Sequence, residues 1–301
     1  MFASQSSAKP IAQVFAERAA SNSQRFQIEL NGSTTAYWLY AAKEPHAQDL
    51  VLVHGYRGTH SGLEAIAGLL PDFNIYIPDL PGFGESKSLI SGTTLDGYAD
   101  WLGEFVTNVA PRAQIVAHSY GTLIAGIAAA KGLLTGRKLV LINPIGSVER
   151  TAISKLEASV EATVYRLAEK LSEQSGRALL RSKLTVRTMS VFMAKTKDKA
   201  LRKWIHQQHD QHFSQFETVS VAVAGFETGL NTYLNEYAPQ ITNSVSLIVG
   251  ELDDITPQEA QARLKLLFTN AESHTILGVG HLVHYETPDE AAQLIRDFLN
   301  R

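Results

Sequence analysis

Short apolar runs alternate with longer amphipathic or irregular segments along most of the chain. The runs centre near residues 50, 74, 113, 138, 245 and 273. Strands that are buried on both faces have this continuous apolar character, and helices between such strands are typical of parallel connections. The pattern predicts an α/β fold with a mostly parallel central sheet and helices on both of its faces.

The N-terminal part departs from this alternation. Residues 26–40 contain two strand-prone runs separated by Asn31-Gly32, a pair that favours a tight primed turn, so we expect a β-hairpin there. Residues 11–20 have the spacing of a short amphipathic helix. The apolar side of that helix is predicted to consist of Ile11, Val14 and Phe15.

The alternation stops between residues 147 and 236, where apolar side chains recur at helical spacing. The clearest stripe consists of Ile153, Leu156, Val160, Val164, Leu167 and Leu171. Spacing by three and four residues predicts an amphipathic helix, and we expect it to end at Gly176. Residues 199–213 and 216–225 are predicted to form further helices.

Composition narrows the class of protein. A chain of 301 residues that is 45% hydrophobic can bury a large core. The net charge of −3 gives no sign of a nucleic-acid partner, and the absence of cysteine excludes disulfides and thiolate catalysis. No apolar run reaches the roughly 18 residues of a membrane span. The N-terminus lacks the charged start and apolar stretch of a secretory signal, so we expect a cytoplasmic protein.

Positive charge is concentrated in the helical segment. Residues 147–215 hold thirteen Lys or Arg against seven Asp or Glu, which could attract anionic substrates or could be a solvated outer helix face. His206, His209 and His212 suggest a metal site, but on a helix the first and last point about 120° apart. We therefore expect a solvated polar face and no metal.

The pentapeptide Ala-His-Ser-Tyr-Gly at residues 117–121 joins an apolar strand-like run to a helix rich in small residues. A serine at such a sharp turn is strained, and its hydroxyl is pushed out of the fold. The positions two before and two after must be small, as Ala117 and Gly121 are. The helix N-terminus behind Ser119 also favours a developing negative charge.

A nucleophilic serine needs a base, and the base needs an acid to fix its tautomer. Residues 250–257 follow an apolar strand-like run and contain two aspartates, and residues 278–281 end on a histidine after another such run. The order Ser, Asp, His is the order in which one serine-hydrolase fold carries its triad. Upstream, residues 54–58 (His-Gly-Tyr-Arg-Gly) form a loop that can offer a backbone N–H to an oxyanion.

With these motifs the chain resembles the α/β-hydrolase superfamily, in its serine-nucleophile branch, from about residue 25 to the C-terminus. The resemblance implies that Ser119 is the nucleophile and that His281 acts first as general base and then as general acid. It implies Asp253 as the orienting carboxylate. It also implies that the backbone N–H groups of Tyr56 and Tyr120 form the oxyanion hole, and it implies no cofactor.

Two of these assignments leave alternatives open. The family places its acid two residues before an apolar residue, here Ile255, which favours Asp253 over its neighbour Asp254. Asn143 occupies the other place where the superfamily keeps its acid, and an amide cannot serve. His284 is the rival to His281 as base.

The resemblance also assigns the helical segment. This family often inserts a helical cap there, over the mouth of the catalytic site. We therefore predict an N-terminal extension with a short helix (residues 1–24), an α/β-hydrolase core (25–146 and 237–301) and a helical cap (147–236). The candidates to line a substrate pocket are Met189, Phe192, Trp204, Phe213 and Phe216.

The predicted function is hydrolysis of a carboxylic ester or related acyl compound with an apolar portion. The same branch includes thioesterases, perhydrolases, iminopeptidases and carbon–carbon bond hydrolases. The last two commonly carry other residues around the serine than His118 and Tyr120. Epoxide hydrolases and haloalkane dehalogenases need Asp where Ser119 stands. A hydrolase fold used as a receptor or binding module can retain the whole triad, so it stays open.

Overall fold

The computed structural model describes residues 9–147 and 152–301, with side chains from residue 159 onward in the second range. Residues 1–8 of the predicted N-terminal extension and 148–151 of the predicted cap lie outside it. The strands are β1 (Ser23–Leu30), β2 (Ser33–Tyr40), β3 (Gln48–Val53), β4 (Phe73–Pro78), β5 (Gln114–His118), β6 (Leu139–Ile142), β7 (Val245–Gly250) and β8 (Ala271–Ile276).

Within the described residues these strands form one sheet in the order β1-β2-β4-β3-β5-β6-β7-β8. Strands β1 and β2 pair antiparallel across the turn at Asn31 (φ 49°) and Gly32 (φ 70°), which confirms the predicted hairpin. Strand β2 is also antiparallel to β4, and every later pair is parallel. The carboxyl ends of β3, β5, β6, β7 and β8 therefore meet at one edge of the sheet, where ligands of open α/β sheets bind.

Helices cover both faces of the sheet, as predicted. They are α1 (Ile11–Asn22), α2 (Glu64–Leu69), α3 (Leu95–Val109), α4 (Tyr120–Ala130), α5 (Ala152–Lys170), α6 (Glu173–Leu180), α7 (Lys183–Met193), α8 (Lys199–His212), α9 (Val219–Asn231), α10 (Gln258–Leu267), α11 (Val283–Glu286) and α12 (Pro288–Leu299). Short 3-10 turns lie at His60–Leu63, Leu234–Glu236 and Ala238–Gln240. Helices α5 to α9 all fall between β6 and β7, so among the described residues the alternation of strands and helices is interrupted at this one place, while β6 and β7 still pair within the sheet.

Two helix faces differ from the sequence prediction. Helix α1 buries Ala12, Ala16 and Ala19, while Ile11 and Val14 are exposed. The small alanines allow the backbone of α1 to approach α2 closely: a Cβ on Gly68 would lie 2.2 Å from the carbonyl oxygen of Phe15. Close backbone contact, which the larger residues would prevent, decides the orientation of this helix.

Helix α5 is also rotated from its apolar stripe. Tyr165 and Ala168 are buried, whereas Val160 and Leu167 are more than half exposed; the side chains of Ile153 and Leu156 lie outside the described part. The helix ends at Lys170, and Gly176 lies inside α6 instead of ending α5. A Cβ at Gly176 would lie 2.4 Å from the carbonyl oxygen of Ala168, so this glycine permits the contact between the two helices.

No helix in the described part of the chain is long and apolar enough to cross a membrane.

Candidate active site

Ser119 stands between β5 and α4 in a strained turn. Its φ of 52° and ψ of −119° fall in a region that costs a non-glycine residue about 1–3 kcal/mol. Gly121 is required here, because a Cβ on it would lie 2.6 Å from the carbonyl oxygen of Val53. The serine hydroxyl is thereby held at the sheet edge where the loops after β7 and β8 converge.

His281, in the loop after β8, lies against this hydroxyl. Its Nε2 is 2.8 Å from Ser119 Oγ, and its Nδ1 is 2.8 Å from Asp253 Oδ2. All three side chains are buried, with at most 9% of any residue exposed. With Nδ1 donating to the carboxylate, Nε2 is left to accept the serine proton.

The Asp253 carboxylate is held by several donors besides His281. It accepts hydrogen bonds from the Ile255 N–H, the Thr256 N–H and hydroxyl, and the Asn143 side-chain amide. Burial by itself would raise the pKa of Asp253, but the charge and hydrogen bond of His281 and the bonds from Thr256 outweigh it and hold the pKa below its usual range. Asp253 is therefore ionised at neutral pH.

Asp254 lies apart from this chain of hydrogen bonds. Its Oδ2 is 2.5 Å from Lys195 Nζ, in a partly exposed ion pair. His284, the rival base, also lies elsewhere: its ring packs on that of His118 with centroids 4.1 Å apart. The structure thus brings together the three side chains named first from the sequence and leaves both alternatives outside the hydrogen-bonded series.

The loop after β3 places Tyr56 at the same edge. His54 braces this loop, since its Nδ1 donates to the Gly55 carbonyl (2.9 Å) and its Nε2 accepts from the Leu80 N–H (2.9 Å). Tyr120 is the first residue of α4, so its N–H has no acceptor within the helix. Both tyrosines line the same cavity as Ser119. Their backbone N–H groups are therefore candidates to hold an oxyanion.

The cavity over Ser119 holds about 190 Å³ of space and is mostly apolar. Met189, Phe192 and Phe213, three of the five pocket candidates, line it. Trp204 does not: it packs edge-on against Tyr285 with centroids 5.2 Å apart.

Phe216 does not line the cavity either, because its backbone bridges to Phe83 of the core and its ring lies beneath arginine side chains. The sequence cannot distinguish an aromatic ring that faces a cavity from one that packs between elements, which explains both errors.

The position of His209 on α8 corrects the expectation that the three histidines lie on a solvated polar face. His209 is only 4% exposed and lines the cavity, so it does not belong to a solvated face as predicted. Its Nδ1 is 2.7 Å from Ser190 Oγ, which also lies 2.6 Å from His206 Nδ1. No cluster of three or more His, Cys, Asp or Glu suited to a metal occurs within residues 9–147 and 152–301.

Three contacts that support the site are not predicted from the sequence. Asn143, with φ at 47°, donates its amide to Asp253 at 2.6 Å. His118 donates from Nε2 to the His281 carbonyl at 3.0 Å. Glu286 accepts the Lys195 N–H at 2.6 Å. The only sequence signal for Asn143 is its position at the end of β6, since asparagine tolerates the left-handed backbone conformation that a sharp strand end requires.

Comparison with known proteins bears on the family and the fold of this chain. Residues 50–294 match the model of the alpha/beta hydrolase family. A pimeloyl-[acyl-carrier protein] methyl ester esterase of Yersinia pseudotuberculosis is 27% identical over 266 residues, which span 87% of this chain and 96% of that protein.

Solved structures are similar in fold. A thermophilic esterase from Thermogutta terrifontis superposes with a TM-score of 0.69 at 20% identity, covering 92% of this chain and 98% of that one. An esterase from Exiguobacterium antarcticum superposes with a TM-score of 0.72 at 14% identity, covering 92% and 100%. The superfamily and the α/β fold predicted from the sequence are confirmed: this chain belongs to the alpha/beta hydrolase family.

Proposed function

We propose that this protein is a serine hydrolase that cleaves carboxylic esters through an acyl-enzyme on Ser119. The observation that carries the proposal is the unbroken hydrogen-bonded series from Ser119 Oγ through the His281 ring to Asp253, with both distances at 2.8 Å. A series of this kind is what makes a serine hydroxyl nucleophilic at neutral pH.

In the first half of the reaction, Ser119 Oγ attacks the ester carbonyl carbon while its proton passes to His281 Nε2. The carbonyl oxygen becomes an oxyanion that the N–H groups of Tyr56 and Tyr120 stabilise, each worth about 3 kcal/mol in the transition state. The carbon–oxygen bond to the alcohol then breaks, and the alkoxide leaves with the proton from His281. Asp253 stays ionised and stabilises the imidazolium throughout.

In the second half, water attacks the acyl-enzyme. His281 Nε2 removes a proton from the water, the same N–H groups hold the second oxyanion, and Ser119 recovers its proton as the carboxylic acid leaves. The products are one alcohol and one carboxylic acid, so water is the only co-substrate.

The substrate is proposed to be a small ester with an apolar portion, because apolar side chains make up most of the cavity wall. The Yersinia relative is named for a methyl ester, so methyl esters are the first substrates to test. Residues 147–236 are proposed to act as a cap, a role supported by cavity-lining residues on α5, α7, α8 and α9. The cytoplasmic location stays a prediction that cell fractionation would check.

The test is Ser119→Ala, assayed on p-nitrophenyl butyrate and methyl butyrate. We expect kcat to fall by roughly 10⁴ or more, because the variant lacks the hydroxyl that lies against His281 Nε2. Ser246→Ala is the matched control: this serine is buried in β7, and its hydroxyl has no partner in the described structure. That variant should keep wild-type activity.

An organophosphonate probe followed by intact mass gives an independent readout. One adduct on Ser119 is expected in the wild type and none in His281→Ala. Turnover by Ser119→Ala near the wild-type rate would overturn the proposal.

A further inference from the structure

Five polar side chains that are not part of the triad contribute to the lining of the active-site cavity, although this lining is mostly apolar. Helix α8 presents Gln208, His209 and His212 to the cavity, Thr59 comes from the loop after β3, and His284 comes from α11. The mechanism proposed above uses none of these five side chains. Polar groups that converge in an apolar pocket fix the orientation of a ligand.

Two polar atoms of these five side chains, Thr59 Oγ1 and His284 Nδ1, are buried without a hydrogen-bond partner in the described structure. Thr59 is 1% exposed and His284 is 5% exposed. Thr59 precedes the 3-10 turn His60–Leu63, but its hydroxyl does not cap that turn. A buried polar group that lacks a partner is costly, so each such group in a native protein requires an explanation.

His209 adds a third polar group to the lining of the same cavity. Its Nδ1 bonds to Ser190, so Nε2 is the ring nitrogen that can meet a ligand. His118, by contrast, donates its Nε2 to the His281 carbonyl and serves the triad loop. The ring contact of His284 with His118 places His284 next to the catalytic centre.

Charge on the cavity wall defines what this region can bind. The described lining contains no lysine or arginine, and Glu161 is its only carboxylate. Burial lowers the pKa of His209 to about 3 and holds the pKa of His284 well below its ordinary value, so both rings are neutral at pH 7. An anionic substrate group would find no lysine or arginine in this lining, whereas a hydroxyl and two neutral imidazoles are the kind of groups that pair with an uncharged donor or acceptor.

We propose that Thr59, His209 and His284 form a polar subsite beside Ser119 that binds an uncharged hydrogen-bonding group, a hydroxyl or a carbonyl, of the ester substrate. The inference rests on the proposed ester hydrolysis and names its substrate class: esters that carry a neutral polar group close to the scissile bond.

The first experiment compares substrates of similar size on the wild-type protein. Methyl butyrate is set against methyl β-hydroxybutyrate for a group on the acyl side, and ethyl butyrate against hydroxyethyl butyrate for one on the alcohol side. We expect kcat/KM about fivefold or more higher for the hydroxylated member of one pair, as one added hydrogen bond gives. Methyl hydrogen succinate, whose carboxylate is charged, should be poorer than methyl butyrate.

The second experiment removes the polar atoms with little change in shape. Thr59→Val and His284→Phe should each bring the hydroxylated-to-plain ratio towards one. Thr188→Val is the matched control, because that threonine is exposed on α7 and bonds only to its own helix. It should leave the ratio as in the wild type.

Denaturant unfolding separates this subsite from a structural role. Thr59→Val should not lower the free energy of unfolding, since it removes a buried hydroxyl that has no partner.

Each failure has a distinct signature. No preference in either substrate pair, a preference for the succinate, or a hydroxyl preference that survives both variants would each overturn the subsite. Hydrolysis of methyl butyrate and phosphonate labelling of Ser119 in the same samples report on the proposed function itself. If the wild type shows neither, the proposal of ester hydrolysis is wrong, and the subsite proposal that rests on it is overturned as well.

Discussion

Asp253 and Asp254 are adjacent in the chain and bind different partners, so their asparagine variants test directly which of the two is the triad acid. Asp253→Asn should lower kcat by about 10⁴, because an amide favours the wrong tautomer of the base. Asp254→Asn should keep activity, since its partly exposed ion pair with Lys195 is worth about 0–1 kcal/mol. Steady-state hydrolysis of p-nitrophenyl butyrate at pH 8 would be measured for both.

The two variants act as controls for each other, because each makes the same chemical change at neighbouring positions. Circular dichroism should give wild-type spectra for both. A large loss confined to Asp254→Asn would reverse the assignment of the acid.

At the scale of residues, the sequence predicts groups that sit in short local motifs. Ser119, Asp253 and His281 each follow a strand, so their loops meet at one sheet edge once the strands are parallel. The hydrogen bond of Asn143 to Asp253 and the burial of the Thr59 hydroxyl could not be predicted in this way. They depend on how side chains from separate loops are oriented after packing, which no local spacing records.

At the scale of elements, Arg57 connects the loop after β3 to the helices between β6 and β7. Its side chain is fully buried and donates to the Phe213 carbonyl (2.9 Å), the Leu180 carbonyl (2.9 Å) and the Tyr165 hydroxyl (3.0 Å). Tyr56, the oxyanion candidate, is the preceding residue. The same side chain thus contacts the proposed cap and adjoins the residue whose N–H is proposed to hold the oxyanion.

Arg57→Met should lower the free energy of unfolding by about 3 kcal/mol, because it removes the donor to the Leu180 carbonyl in a buried contact and to the Phe213 carbonyl in a part-buried one, and a buried group left unpaired costs roughly 1–3 kcal/mol. Arg177→Met is the matched control: Arg177 also donates to two backbone carbonyls, those of Phe216 and Glu217, but its side chain is 28% exposed and water can replace it. Urea unfolding of both variants would be measured. Equal losses would show that the buried contacts of Arg57 contribute nothing beyond those of an exposed arginine.

Elements themselves differ in how well the sequence predicts them. The strands and the hairpin were predicted because a buried strand is apolar throughout and Asn-Gly fixes its turn. The faces of α1 and α5 were not, because close backbone contacts at Gly68 and Gly176 decide which side faces inward. Apolar periodicity shows that a helix is amphipathic. The side that is buried can still differ from the apolar side, because it depends on how closely the helix packs against its neighbour.

At the scale of the whole molecule, several histidines are buried in neutral form around one cavity. Burial lowers the pKa of His118 and of His209 from 6.5 to about 3, and it holds the pKa of His284 well below 6.5. In the unfolded chain each of them gains a proton below its ordinary pKa. The unfolded state therefore binds more protons than the folded state between pH 6.5 and about 3, and the protein should lose stability as the pH falls through that window.

Each of these histidines should contribute about 1.4 kcal/mol per pH unit to the slope of the free energy of unfolding below pH 6. Replacing one of them tests this: in His209→Gln the slope between pH 6 and 5 should be smaller by about that amount, because glutamine cannot take up the proton. His46→Asn is the control, since His46 is exposed and its left-handed backbone (φ 69°) suits asparagine. Urea unfolding at pH 7, 6 and 5 provides the slopes. Equal slopes in His209→Gln and the wild type would show that His209 takes up its proton in the folded protein as it does in the unfolded chain. The conclusion that His209 is neutral beside the cavity would then be wrong.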